Sequence, residues 1–81
     1  MSKYDPLREY LERLPLEPVQ LTFSQVDRIV QGLPPSARRQ AWWSNDRHGR
    51  HVQAAGWLDA GRRVEAVDLN AAHVTFSSPY G

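Results

Sequence analysis

Apolar residues recur with the period of an α-helix at the start of the chain. They stand at Leu7, Tyr10, Leu11 and Leu14, which is the i, i+3, i+4, i+7 spacing of an amphipathic helix. Asp5 is suited to cap this helix, and Pro6 is tolerated in the first turn because its missing N–H needs no partner there. Since Pro15 ends the pattern, the sequence predicts a first helix from Asp5 to Leu14.

A short alternating segment and a second helical stripe follow Pro18. Val19 to Phe23 alternates apolar and polar positions with β-branched and aromatic side chains, which predicts a short half-buried strand. Ser24 and Asp27 have the spacing of a capping box at the start of the next helix. Its apolar stripe consists of Val26, Ile29, Val30 and Leu33. Gly32 lies near the predicted end of this second helix.

The middle of the chain has weaker patterning. Pro34 and Pro35 predict a turn, after which Ser36 can cap one helical turn up to Ala41. The polar segment from Trp42 to Gly49 is rich in residues that favour turns and predicts a loop. A third helix is expected from about His51 to Gly61. Its apolar face would contain Val52, Ala55 and Leu58, with Trp57 on its flank.

The C-terminal part predicts a β-hairpin. Val64 to Leu69 and His73 to Phe76 have strand composition and are joined by a short turn, with a shift of alternation that indicates a bulge near Ala66. The predicted fold is α+β, with three helices, a short strand and a C-terminal hairpin in the order helix-strand-helix-helix-strand-strand, which is winged-helix-like. We expect one domain over residues 1–81, with residues 1–3 and 77–81 frayed.

Composition narrows the setting of the protein. The 81-residue chain has no cysteine, so neither a disulfide nor a thiolate metal cluster is available. It also lacks an apolar signal core and any stretch near the roughly 20 apolar residues of a membrane span. We therefore expect a cytoplasmic protein that does not contact membranes.

Positive charge is concentrated in the middle of the chain. Net charge is +1, but the stretch from Ser36 to Arg63 contains six arginines and two aspartates and carries +4. The preceding residues carry −1 and the following ones −2. Arginine makes forked contacts with phosphate, guanine or carboxylate, so this stretch is a candidate binding region.

Four segments resemble a bacterial family of small domains of unknown function. They are KYDPLREYL (3–11), LTFSQVDRIV (21–30), AWWSND (41–46) and AGWLDAGRRVEAVDLNAAHVTF (55–76). Its members are small proteins or modules attached to other domains, some of them nuclease-like. An aromatic residue commonly stands in that family at the position of Arg62. The resemblance covers nearly the whole chain and implies a shared fold, without an activity to carry over.

Adjacent tryptophans make Ala41 to Asn45 the most informative segment. Because two neighbouring side chains on one helix or strand point in different directions, we expect Trp42 or Trp43 to reach the surface. There it would stack on a base or sugar, while Asn45 pairs with adenine and Arg38 or Arg39 with guanine. The alternative is structural: one tryptophan lies in the core, the other packs under an arginine, and Asn45 caps a helix.

Two further groups complete the predicted nucleic-acid site. Arg47, His48, Arg50 and His51 precede the third helix, where a recognition helix would meet a DNA groove. They would otherwise form a solvated polar loop. Arg62 and Arg63 could contact backbone phosphates or simply complement the C-terminus of the third helix.

The sequence favours a binding module over an enzyme. His48 and His51 with Asp46 and His73 lack a convincing set of metal ligands, so neither a metal nor another cofactor is expected. The chain also shows no phosphate loop, nucleophile elbow or carboxylate pair, and no small-molecule substrate is evident. We expect binding to double-stranded DNA, as in a transcriptional, phage or defence regulator. The alternative is a protein-interaction module, either a homodimer or an inhibitor or adaptor of another protein.

Overall fold

The predicted order of elements is confirmed. A computed structural model of the protein describes residues 2–46 and 52–79. Its helices are α1 (Asp5–Glu12), α2 (Phe23–Val30) and α3 (Ala55–Leu58), and its strands are β1 (Val19–Thr22), β2 (Val64–Asp68) and β3 (His73–Phe76). Between α2 and α3 the described residues form 3-10 turns at Pro35–Arg38, Gln40–Trp43 and Val52–Ala54. The domain is therefore α+β, as expected.

The strands form one antiparallel sheet in the order β1-β3-β2. In this sheet β1 pairs with β3 from Val19 opposite Phe76 to Thr22 opposite His73. The predicted bulge is present, because the register of β2 against β3 shifts between Val64 and Ala66. Strand β1 therefore extends the C-terminal hairpin by pairing with β3, the second strand of that hairpin.

The ends of the first two helices differ from the prediction. Helix α1 ends at Glu12, two residues before Leu14. Helix α2 is capped by Thr22, whose hydroxyl accepts from the Gln25 amide while the Gln25 side chain accepts from the Thr22 amide. The prediction of Ser24 as the cap is wrong because β1 ends one residue earlier than expected. Asp27, the other predicted box member, instead accepts a hydrogen bond from the Leu33 amide at 2.7 Å.

The third helix is shorter than predicted and has a different buried face. Among the described residues 52–61, the α-helical part is Ala55–Leu58, which follows the 3-10 turn Val52–Ala54. Val52, which was expected on the apolar face, is 62% exposed, whereas Trp57, which was expected on the flank, is fully buried. The 3-10 turn changes the rotation per residue, and the large indole of Trp57 gains most from burial. Gly61 has the predicted left-handed conformation, with φ of 79°.

An aromatic cluster fills the core between the helices and the sheet. Trp43, Trp57 and Phe76 are almost completely buried and pack with aliphatic residues of α1, α2 and β3. Ser77, which was expected in a frayed end, is also buried, and its amide donates to the Arg63 carbonyl at 2.7 Å. The core therefore extends one residue beyond β3.

Candidate functional site

Both adjacent tryptophans lie in the core. Trp42 is 8% exposed and Trp43 is 2% exposed, so the expectation that one of them reaches the surface is wrong. They occupy the 3-10 turn Gln40–Trp43 and pack against other aromatic rings. Trp42 contacts the Tyr4 ring edge to face, and Trp43 stacks on the Phe23 ring. The buried Trp43 indole N–H donates to the Ala37 carbonyl at 2.9 Å. These two side chains are therefore structural.

Asn45 joins three parts of the chain. Its Oδ1 accepts from the Trp57 indole N–H at 2.9 Å and from the Val64 amide at 2.8 Å, and its Nδ2 donates to the Val64 carbonyl at 3.0 Å. The Asn45 side chain thereby pairs with both backbone hydrogen-bonding groups of Val64, at the edge of β2, as a neighbouring strand would. Because its oxygen and nitrogen already have partners within the fold, Asn45 is not poised to read adenine.

Arg62 is a core residue rather than a phosphate contact. Its guanidinium is fully buried and donates to the carbonyls of Pro15 at 2.8 Å, Glu17 at 2.8 Å and Ser77 at 3.1 Å. Burial lowers the pKa of Arg62, because desolvation disfavours its charged form. The prediction that Arg62 faces DNA is wrong, since the side chain is enclosed by the segment after α1 and the end of β3.

Three predicted arginines keep their side chains in solvent. Arg38 and Arg39 are exposed at the end of the first 3-10 turn, and Arg63 is exposed at the start of the hairpin. Another four predicted site residues lie outside the described part of the chain: Arg47, His48, Arg50 and His51. The surface that can be built from described residues therefore centres on Arg38 and Arg39.

One of these arginines lines a concave surface beside α2. This surface, which we call the α2 cleft, has a volume of about 510 Å³. Its lining consists of one face of α2 and the following turn: Phe23, Ser24, Asp27, Arg28, Leu33, Pro34, Pro35, Ala37 and Arg38. The volume lies in the range of about 300–1,000 Å³ that is typical of ligand sites.

Charge in the α2 cleft is positive overall. Arg28 belongs to α2 and Arg38 to the first 3-10 turn, and both are exposed. Among the described residues that line the cleft, Asp27 is the one acid, and one of its carboxylate oxygens already accepts from the Leu33 amide. The formal charge of the lining is therefore +1, and two guanidinium groups are available to an anionic ligand.

An aromatic stack ends at the same cleft. The ring centroids of Phe23 and Trp43 are 5.2 Å apart, with an interplanar angle of 16°. The ring centroids of Trp43 and Trp57 are 5.8 Å apart, with an interplanar angle of 25°. Phe23 is the half-buried outer member of this stack, and it lines the cleft. The cleft thus combines two guanidinium groups with an aromatic ring that the core holds in place.

Sequence reasoning missed Phe23 and Arg28 as site residues. The relevant signal was the face of α2 that contains Phe23, Ser24, Asp27 and Arg28, which begins beside the buried stripe of Val26 and Val30 and continues into exposed positions. The sequence alone does not identify this face as part of a site. The structure shows that residues of α2 line the same cleft as Pro34, Pro35 and Arg38 of the following turn.

The described residues offer less chemistry elsewhere. A second depression, of about 650 Å³, lies on the sheet face and is lined mainly by uncharged residues, with Asp68 as its acid and His73 as its imidazole. Within residues 2–46 and 52–79, no three histidine, cysteine or acidic side chains are grouped to hold a metal ion. The same residues include no helix with the length and apolarity needed to cross a membrane.

Comparison with known proteins identifies the family. The model of a domain of unknown function (DUF7662) matches residues 4–79. The chain belongs to this family. DUF7662 therefore covers every helix and strand described above, which confirms the resemblance to a family without assigned function. No curated protein and no solved structure matches the DUF7662 chain.

Proposed function

We propose that the protein is a DNA-binding module, rather than an enzyme, and that it contacts phosphates through Arg28, Arg38 and Arg39. The observation that carries this proposal is the α2 cleft, in which Arg28 and Arg38 face a common space. Arg39 follows directly and is also exposed. Arginine forks match phosphate oxygens, and phosphate contacts supply most of the affinity of sequence-independent DNA binding.

Local charge supports the same choice. No acidic residue stands between Arg28 and Asn45, although the chain as a whole has only one excess positive charge. The basic segment is therefore continuous along the sequence from the end of α2 through the second 3-10 turn. Arg47 and Arg50 follow Asp46 in the sequence and remain predicted contacts outside the described residues.

The proposed DNA surface differs from that of an ordinary recognition helix. The sheet order β1-β3-β2, with β1 between α1 and α2 and the hairpin after α3, is compatible with a winged-helix arrangement. However, α3 has four residues, and its Gly56 and Trp57 are buried. We therefore place the phosphate contacts on α2 and the first 3-10 turn instead of on the third helix. A single module of this size binds DNA weakly, so dimerisation would strengthen binding.

The test is fluorescence anisotropy of a labelled duplex of random sequence, titrated with protein at several salt concentrations. Three phosphate contacts predict a slope of log K against log salt of about −2.7, from roughly −0.9 per contact. The double variant Arg38→Gln, Arg39→Gln should reduce that slope to about −0.9 and weaken binding at low salt. A slope near zero in the unmodified protein, for the duplex and for a single strand of the same length, would contradict the proposal.

A matched control separates this surface from general charge. Arg8→Gln with Arg13→Gln removes the same two charges from α1 and its C-cap, where Arg8 pairs with Glu12 at 3.0 Å. This pair of changes should leave the slope unchanged. An equal loss of DNA affinity in both double variants would mean that only net charge matters.

A second candidate function is binding to a protein partner. It is favoured by the apolar part of the α2 cleft, where Leu33, Pro34 and Pro35 stand beside the mixed charges of Asp27 and Arg28. Mixed charge around an apolar surface is common in protein interfaces. Absence of duplex binding at low salt, together with recovery of a partner that the Arg38 variant no longer captures, would favour this second function.

A further inference from the structure

We infer that the α2 cleft binds one nucleotide of single-stranded DNA, with the base against Phe23 and the phosphate between Arg28 and Arg38. This inference rests on the proposed DNA-binding function and specifies the substrate of the same site. It makes the protein selective for unpaired strands, because a base inside a duplex stays stacked on its neighbours and does not enter a cleft.

The aromatic stack provides the place for a base. Trp57, Trp43 and Phe23 follow one another at centroid distances of 5.8 Å and 5.2 Å with small interplanar angles. The inner rings are buried, and the Trp43 indole N–H is fixed by the Ala37 carbonyl, so Phe23 rests on a rigid support. A planar base packed against the cleft side of Phe23 would continue the stack, the usual mode of sequence-tolerant single-strand binding.

Charge and volume match one nucleotide within a strand. The described residues of the lining have a formal charge of +1, from Arg28 and Arg38 against Asp27, and a phosphodiester carries a single negative charge. A free nucleotide monoester carries nearly two negative charges near neutral pH, by analogy with other phosphate monoesters. The volume of about 510 Å³ accommodates one base with its sugar and phosphate but not a duplex.

The decisive comparison uses the unmodified protein and three labelled DNA ligands. They are an oligodeoxythymidine, an abasic strand with the same number of phosphates, and a duplex of the same length. Base stacking predicts that oligodeoxythymidine binds about fivefold or more tightly than the abasic strand at equal salt, and more tightly than the duplex. Equal affinity for the strands with and without bases would overturn the inference.

Single variants test separately which residues contact the base and which contact the phosphate. Phe23→Leu keeps an apolar side chain against Trp43. It should lower the affinity for oligodeoxythymidine about fivefold and leave the affinity for the abasic strand unchanged. Arg28→Gln and Arg38→Gln should weaken both single strands. Arg13→Gln, an exposed cation outside the cleft lining, is the matched control and should change neither. Near-ultraviolet circular dichroism verifies the aromatic packing of each variant.

The outcomes distinguish the inference from the proposed function. Salt-dependent duplex binding that needs Arg38 and Arg39, without preference for bases, would overturn the inference and leave the proposed function in place. Absence of binding to all three ligands at low salt would overturn both. Competition by free thymidine monophosphate as effective, per nucleotide, as the oligonucleotide would show that the occupant is a free nucleotide and would overturn the strand-specific inference.

Discussion

At the scale of single residues, side chains that suggest DNA recognition in the sequence instead hold the fold together. Trp42, Asn45 and Arg62 have chemical groups that suit bases and phosphates, yet their partners are protein groups. The Trp42 ring packs edge to face against the Trp43 ring, Asn45 hydrogen-bonds to Trp57 and Val64, and Arg62 donates to three backbone carbonyls. Buried polar groups need such partners, so an asparagine or arginine near aromatic residues can serve the core equally well.

Asn45 gives a direct test of this structural role. Asn45→Ala leaves the Trp57 indole N–H and both backbone groups of Val64 without their partner, and unpaired buried groups cost about 1–3 kcal/mol. We expect the free energy of unfolding to fall by about 2 kcal/mol in urea denaturation. Asn45→Asp keeps an acceptor but turns a carboxylate oxygen toward the Val64 carbonyl oxygen in place of the Nδ2 donor, so it should lose at least as much stability at neutral pH.

The neighbouring residue provides the control for Asn45. Ser44 is half-buried and contributes its backbone amide to the Ala41 carbonyl, so Ser44→Ala should stay within about 0.5 kcal/mol of the unmodified protein. If Asn45→Ala were as stable as Ser44→Ala and instead lost affinity for adenine-containing DNA, the recognition role expected from the sequence would be restored.

At the scale of elements, α1 and α3 approach closely because Gly56 has no side chain. A Cβ atom at Gly56 would lie 3.2 Å from the Tyr4 Cβ and 3.3 Å from the Tyr4 carbonyl oxygen. Gly56→Ala gains up to about 1 kcal/mol of helix propensity, but overpacking costs about 1–3 kcal/mol. We therefore expect a net loss of about 1 kcal/mol in thermal or urea unfolding. A gain in stability would show that the two helices can separate without cost.

The elements that could be predicted from the sequence are those with local signals. Periodicity identified α1 and α2, and the change of alternation near Ala66 identified the bulge in β2. Residues 35–46 and 52–57 are predicted poorly from the sequence, because their 3-10 turns have no regular apolar period and tertiary packing decides which side chains are buried. For the same reason, the sequence indicated the arginines of the candidate site but not the cleft that pairs Arg28 with Arg38.

At the scale of the whole molecule, Arg62 connects segments that are far apart in the sequence. Its guanidinium bonds the carbonyls of Pro15 and Glu17, after α1, to that of Ser77, after β3. Among the described residues its Nε atom has no partner, and the three acceptors are carbonyls rather than carboxylates. The charge is therefore offset by backbone dipoles, and the site depends on the geometry of the guanidinium fork.

Substitution of Arg62 should consequently affect the stability of the entire domain. Arg62→Ala leaves three carbonyl oxygens and a cavity in the core, and we expect a loss of about 3 kcal/mol, a large part of the roughly 5–15 kcal/mol of a small domain. Arg62→Lys keeps the charge without the fork and should lose somewhat less. Arg63→Ala is the matched control, because Arg63 is exposed and should change the unfolding free energy by less than about 0.5 kcal/mol. Equal effects at the two positions in urea unfolding would refute the connecting role of Arg62. If the Arg62→Ala protein were as stable as the unmodified protein but bound DNA more weakly, Arg62 would instead be a DNA contact.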